Sequence, residues 1–463
     1  MTLWSWRELC EALNVPVTDQ HADATGVSID SRTLAPGDIF IALSGDPGPR
    51  FHSSSAGDLD GHDFLKAAVQ AEASSAMIRE DYRGDVAIPV LPVPDTHEGL
   101  WALGRAARHR TDARVVAVTG SAGKTTCRSW LEALLSEQAP THASTGSLNN
   151  HWGVPLSMSR MPAEVHYGVF EVGTNNPGEI ALLTELVRPD VAVVLNVLPA
   201  HIGRFPSMDD LRLEKLSLAE GLGETGIVIA PSNLDLKESA AMDRDVLTFG
   251  LSSDADIWSE WGSVDHRGTD EASIHVGDQR LVCHPPFKGD HRLLTLTAVF
   301  AALAAVKADL EKAARDVVRL TVPTGRGEVI KAGDWTLVDD SYNANPVSVL
   351  YAVDALAGEG GHRVAVLGEM LELGPDGPSA HEEVLLAAMN SVDQVFTVGE
   401  NWPPKGQERL DPQLDDAVLT ALVDRIEDLA KRPPTVLIKG ANKVFWAKGF
   451  VDRLNDALRT RHL

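Results

Sequence analysis

A chain of 463 residues is longer than one hydrophobic core usually serves, so about three domains are expected. Its 41 basic and 66 acidic residues leave a formal charge of −25, which argues against nucleic acid or an anionic membrane surface as a partner. The cysteines Cys10, Cys127 and Cys283 are far apart and form no C-x-x-C pair, so neither a disulfide framework nor a zinc site is suggested and a reducing cytoplasm fits.

The opening stretch MTLWSWRELCEALNV mixes acids with its apolar residues, unlike a secretory leader. No apolar run reaches the roughly 18 residues of a membrane span, so a soluble chain without membrane insertion is expected. The first hundred or so residues carry short apolar runs, DIFIAL and VAIPVLPV, separated by the loop-like SGDPGPRFHSSSAGDLDG, which together read as a small α/β module. From Val115 the alternation becomes regular, with a strand, a glycine loop and a helix, then HYGVFEVG, PDVAVVLNV and GIVIAP. Apolar runs without polar alternation imply strands covered on both faces, hence a parallel sheet. A helix LLTLTAVFAALAAV follows, and after LTVPTGRGEVI the alternation restarts with WTLVDDSYNANP, RVAVLGEM, QVFTVGE and TVLIKGAN. The expected architecture is α/β with three domains over residues 1–110, 111–320 and 321–463: a small N-terminal α/β domain, a central parallel-sheet ATPase domain and a C-terminal Rossmann-like domain.

The chemical signal is VVAVTGSAGKTTCRSWLEALL. A buried strand runs into Gly120, Ser121, Ala122 and Gly123, then Lys124, Thr125 and Thr126 open a helix. In that order, backbone N–H groups and a helix N-terminus can hold phosphate while a hydroxyl faces magnesium. Val118 stands where the commonest phosphate loop has its first glycine. Glu171 ends the next strand and His201 follows another; parallel strands bring both to the edge that carries the loop, within reach of one magnesium ion. Cys127 reads as a small packing residue.

These residues resemble the Mur ligase family, which joins an amino acid or peptide to a nucleotide-sugar carboxylate using ATP. The resemblance covers nearly the whole chain, and TGSAGKTT is similar to that family's shortened loop without the leading glycine. It implies a magnesium site from Thr125, Glu171, His201 and a carbamylated Lys215. By itself Lys215, beside Glu214, also reads as a solvated helix lysine. TGSLNNHWGVPLS implies that Asn149 and Asn150 lie near the sugar and diphosphate. DSRTLAPGDIFIAL and DGHDF resemble the domain that holds the uridine nucleotide, with Ser31 and Arg32 on the substrate.

VDDSYNANPVS, and LGEMLELG followed by His381, look most like the MurF branch. That likeness implies ATP and Mg²⁺ as cofactors, UDP-N-acetylmuramoyl-tripeptide and D-alanyl-D-alanine as partners, peptidoglycan precursor synthesis as the setting, and a monomer. Catalysis would rest on Lys124, His201, Lys215 and Arg326. His291, Arg326, Asp340 and Asn343 would join the loop around the nucleotide, and Tyr342, Asn345, His381 and Lys439 would meet substrate. Asn345 before Pro346 is also a good helix N-cap. This chain departs from the family pattern at Arg292 and Thr295, where amides that grip adenine are usual, at Ser217, where an acid is usual, and at Ala441 and Asn442, where the branch tends to have Ser and Arg. Two other readings stay open: a related ligase with a different acceptor, and a nucleotide-binding scaffold without turnover.

Overall fold

The computed structural model describes residues 2–45, 59–199, 202–264 and 270–461. Most of the loop SGDPGPRFHSSSAGDLDG, and His201, lie outside them. Three sheets organise the chain. The first is parallel throughout, with Gly26–Ser28, Asp38–Ile41, Ser75–Arg79 and Val90–Val93 pairing in sequence order. DGHDF closes one end of it: Asp60 accepts from His62 Nδ1 at 2.6 Å, and His62 Nε2 accepts from the Arg79 amide at 3.0 Å. Gly61 is required there, because a Cβ would stand 2.6 Å from the Leu43 amide nitrogen.

The central sheet has nine strands. From edge to edge they are Gln279–Cys283, Asp270–Val276, Ile257–Val264, Asp245–Gly250, Ile227–Pro231, Val191–Val194, Arg114–Thr119, Tyr167–Glu171 and Thr141–Ala143. Its middle is parallel, and Val115 to Val118 explain why their strand is apolar at every position. Val116 and Val118 pack with Leu131, Leu134 and Phe300 on one face, while Val115 and Ala117 pack with Ile180 and Leu183 on the other. The last three strands are antiparallel at one edge. They extend the sheet beyond the apolar runs visible in the sequence, because IWSEWGSV has no clean polar–apolar alternation: Ile257 and Ser259 are buried while Glu260 between Ser259 and Trp261 is exposed.

The third sheet begins with an antiparallel hairpin, Glu328–Ala332 on Trp335–Asp340, and continues in parallel through Pro434–Lys439, His362–Gly368, Gln394–Val398 and Glu408–Leu410. All described residues considered, no helix is long and apolar enough to cross a membrane.

Specific bonds join the sheets. Trp4 Nε1 donates to the Ser159 carbonyl at 2.8 Å, and the Arg110 guanidinium lies 3.5 Å over the Trp4 ring. Trp130 Nε1 donates to the Thr321 carbonyl at 2.8 Å. The short helix Ile202–Arg204 meets the loop of LGEMLELG, where the Gly203 amide donates to the Glu372 carbonyl at 3.2 Å. A Cβ on Gly203 would stand 2.8 Å from the Gly374 nitrogen and 3.0 Å from its Cα. Neither backbone can give without moving the two sheets apart. Gly203→Ala should therefore disfavour this closed arrangement by about 1–3 kcal/mol, or 5- to 150-fold. Small-angle X-ray scattering should show a larger radius of gyration for the variant at an unchanged melting temperature; superimposable profiles would count against the contact as a closure point.

Candidate active site

The strand Arg114–Thr119 delivers the chain into the glycine loop, and Gly123, at φ 81°, caps the helix Lys124–Ser136. Only glycine adopts that conformation readily. Lys124 folds back so that its Nζ donates to the Gly120 carbonyl at 2.9 Å. The loop is held by a residue that the sequence reading did not single out, Asn196, at the end of the neighbouring strand Val191–Val194. Its Oδ1 accepts from the Ser121 and Ala122 amides, each at 3.0 Å, and its Nδ2 donates to the Ala122 carbonyl at 3.1 Å. Ser121 Oγ adds a bond to the Leu198 carbonyl at 2.8 Å. The signal was its position in AVVLNVLPAH, one strand over from the loop.

Behind the loop the polar groups are oxygen-rich. Thr125 Oγ1 donates to Glu171 Oε2 at 2.8 Å, and Asn149 Nδ2 donates to Glu171 Oε1 at 2.6 Å. The Thr125 and Ser147 hydroxyls are 3.3 Å apart, and Ser147 Oγ accepts from Arg326 Nη2 at 3.1 Å. Two hydroxyls and a carboxylate that is 1 % exposed form a donor set suited to a hard cation such as magnesium, which favours oxygen and keeps several waters. Ser147 was missed by the sequence reading because nothing in its spacing marks it; the fold brings it beside Thr125.

Lys215 lies near the end of the helix Met208–Leu216 and is only 4 % exposed, so it is not a solvated surface lysine. Glu214 faces elsewhere, accepting from the Gly178 amide at 2.6 Å and the Ile180 amide at 2.9 Å at the start of the helix Glu179–Val187. Burial first, and then repulsion by Lys124, pull the Lys215 amine down to about 7, with Glu214 opposing. Burial likewise lowers Lys124, Glu171 opposes that shift, and Arg326 adds to it.

The C-terminal segment supplies the facing wall. A cleft of about 280 Å³ is lined on one side by Ser121, Ala122, Gly123, Thr126 and His291, and on the other by Arg326, Asp340, Asn343, Asn345 and Lys439. Lys439, 3 % exposed, donates to Asp340 Oδ2 at 2.6 Å and to the Asn343 carbonyl at 3.3 Å. The Arg326 guanidinium lies 3.9 Å over the Tyr342 ring. Asp339, another residue outside the sequence reading, fixes this wall: its carboxylate accepts from the Gly325 amide at 3.1 Å and from Ser341 Oγ at 2.5 Å, tying PTGRGE to DDSYNANP. Asn345 caps the helix Pro346–Ala357 by accepting from the Ser348 amide at 2.9 Å while it also lines the cleft.

Other expected site residues stand elsewhere. Ser31 and Arg32 occupy a turn of the first sheet and are not among the described lining residues; Arg32 is exposed and paired with Asp30 at 2.6 Å. The Asn150 side chain accepts from the Gly153 amide at 2.9 Å at the start of the helix Gly153–Ser159. His381 is buried, its Nδ1 donating to the Gly377 carbonyl at 2.7 Å and its Nε2 accepting from the Met370 amide at 3.0 Å. Both ring nitrogens are thereby engaged, Nε2 with the LGEMLELG loop and Nδ1 with the first turn of its own helix Gly377–Ser391. Arg292 Nη2 donates to the Gly327 carbonyl at 2.7 Å, and Thr295 Oγ1 to the His291 carbonyl at 2.9 Å.

Comparison with known proteins agrees with this layout. Residues 118–303 match the Mur ligase middle domain, and residues 325–442 match the Mur ligase, glutamate ligase domain. The chain is 32 % identical, over 94 % of its own length and 94 % of the relative's, to the UDP-N-acetylmuramoyl-tripeptide--D-alanyl-D-alanine ligase of Escherichia coli K12. A crystal structure of MurF from Acinetobacter baumannii superposes with a TM-score of 0.82 at 27 % identity, covering 97 % of this chain and 98 % of that one. MurF from Thermotoga maritima, solved in complex with ADP, gives 0.77 at 25 % identity over 94 % and 98 %. Sequence and fold thus agree over nearly the full chain, which belongs to the Mur ligase family.

Proposed function

We propose that this chain is an ADP-forming ligase that joins UDP-N-acetylmuramoyl-tripeptide to D-alanyl-D-alanine, as its E. coli relative is named to do, in peptidoglycan precursor synthesis. The observation that carries the reading is the convergence of the Lys124 loop with Arg326, Asp340, Asn343 and Lys439 across one cleft. In the reaction, a tripeptide carboxylate oxygen attacks the γ-phosphorus, ADP leaves, and the dipeptide amine then displaces phosphate from the acyl phosphate to form the amide.

The chemistry brings two anions together, and their repulsion opposes in-line attack. Lys124 and Arg326 supply positive charge on either side of the transferring group. Thr125, Glu171 and, by the family likeness, His201 would hold magnesium, with Ser147 beside Thr125, and the ion would supply Lewis-acid polarisation of the phosphoryl oxygens. Residues 1–110 would hold the uridine nucleotide through Ser31 and Arg32, residues 111–320 the ATP, and residues 321–463 would close over it with the dipeptide. Closure matters because an acyl phosphate is short-lived in water. Tyr342, beside Arg326, and Lys439 would face the peptide end.

Lys215 is proposed to carry a carbamate. The neutral amine adds to carbon dioxide and loses a proton, giving an anionic carbamate whose oxygens would be available to hold a second magnesium ion. Because the amine sits near pH 7, its reactive neutral form grows as pH rises and is scarce below 6. Ser217, whose Oγ donates to the Glu214 carbonyl at 2.6 Å, serves the helix end and leaves that requirement intact.

Two outcomes test the reading. Phosphate release from ATP should need both the UDP-tripeptide and the dipeptide for full rate, and Lys124→Ala should lower it about 10²- to 10³-fold; equal rates with and without the UDP-tripeptide would overturn the ligase assignment. Lys215→Ala should lose at least about 10²-fold in turnover while still binding nucleotide, with partial recovery in excess small carboxylic acids. In the unsubstituted enzyme, added bicarbonate should raise activity at pH 6 more than at pH 8. Full activity in Lys215→Ala would remove the carbamate.

A further inference from the structure

Tyr351 is an aromatic side chain left 50 % exposed on the helix Pro346–Ala357, although it lines the interdomain cleft. Across the cleft stands His291, on the helix Asp290–Ala305 of the central segment. The two rings are almost parallel, at 10°, with centroids 5.9 Å apart. Around them the cleft is apolar, with Phe249, Leu251, Leu294 and Ala352. Two polar side chains beside the rings are turned to protein: Arg292 binds the Gly327 carbonyl and Thr295 the His291 carbonyl. Neither of these two donors is directed at a base edge, whereas the paired rings offer the faces of a base a place to stack.

Within the nucleotide-dependent reading above, we propose that Tyr351 stacks on the face of the nucleotide base opposite His291, so that the base is clamped between the central and C-terminal segments. An aromatic base between two parallel rings needs about 7 Å, twice the optimal carbon–carbon separation of about 3.5 Å. The present spacing is short of that by about 1 Å, which a small rotation of one segment against the other supplies. His291 is pulled down to about 4, chiefly by burial and then by Arg292 and Lys439, so at neutral pH it offers an uncharged ring for face-to-face stacking. Filling the gap with a base replaces a loose ring pair by two close ones, so the bound base ties the two segments to each other across the cleft. Tyr351 is a positioning residue, remote from the transferring phosphate.

The test compares two ligands on the full chain by calorimetry: ADP, which has a base, and inorganic tripolyphosphate, which has none. Tyr351→Ala should weaken ADP about 5- to 150-fold, leave tripolyphosphate unchanged, and narrow the preference for ADP over UDP, because purines stack more strongly. Tyr351→Phe should restore ADP binding. Unchanged ADP affinity in Tyr351→Ala, or equal weakening of both ligands, overturns the clamp while leaving the ligase reading in place. A wild-type chain that binds neither ligand would overturn the nucleotide site itself, and the clamp with it.

Discussion

Two buried amines that repel each other set the terms for the rest of the site. Lys124 and Lys215 both lose proton affinity through burial, and each raises the cost of charging the other or its neighbours. Glu171 is the carboxylate placed to offset Lys124. Glu214, adjacent to Lys215 in sequence, instead spends its oxygens on the amides of Gly178 and Ile180, where the start of a helix favours negative charge. Lys215 is therefore left without an ion-pair partner among the described residues, and its amine, pulled down to about 7, has an appreciable neutral share at neutral pH. A buried amine with a sizeable neutral share is the chemical precondition for the proposed carbamate, so the packing of one helix against another prepares the modification.

The same charge arithmetic explains why the site is split between two bodies. Arg326, Lys439 and Arg292 are cations whose positions depend on the C-terminal loops or reach toward them. Lys439 is anchored by Asp340, Arg326 is spread over Tyr342, and Arg292 crosses from the central segment to the Gly327 carbonyl. Gly327, at φ 92°, adopts a backbone conformation that favours glycine, and a Cβ there would also press on the Arg292 guanidinium. The backbone approach of Gly203 to Gly374 makes the arrangement of the two sheets sensitive to a single methyl group. A phosphate donor bound on one wall meets its charge complement only when the second wall arrives, which limits wasteful hydrolysis while the cleft is open.

Departures from the family pattern become intelligible in this setting. Arg292 and Thr295 stand where amides would be expected to read adenine, and the structure turns both toward backbone carbonyls. Their side chains hold the chamber together, and the aromatic pair His291 and Tyr351 forms its walls. His381 follows LGEMLELG as expected, yet its ring nitrogens hold the Met370 amide of that loop and the Gly377 carbonyl of its own helix, so any influence on substrate passes through the loop.

The sequence by itself determined the parts whose physics is local. Glycines at 120 and 123, a lysine and two threonines between an all-apolar strand and a helix leave little choice but a phosphate loop, and unbroken apolar runs dictate a parallel sheet covered on both faces. Asn345 before Pro346 announced a helix start that the structure shows capped. What tertiary structure alone decided is which distant groups meet. Ser147 beside Thr125, Asn196 across the loop amides, and Asp339 tying PTGRGE to SYNANP are each set by which strands neighbour one another, and no spacing in the chain encodes that. The burial of Lys215 was equally beyond the sequence, because a lysine beside a glutamate on a helix reads the same whether the helix faces water or the core; only the packing of Met208–Leu216 against Glu179–Val187 removed the solvent that would have kept it charged.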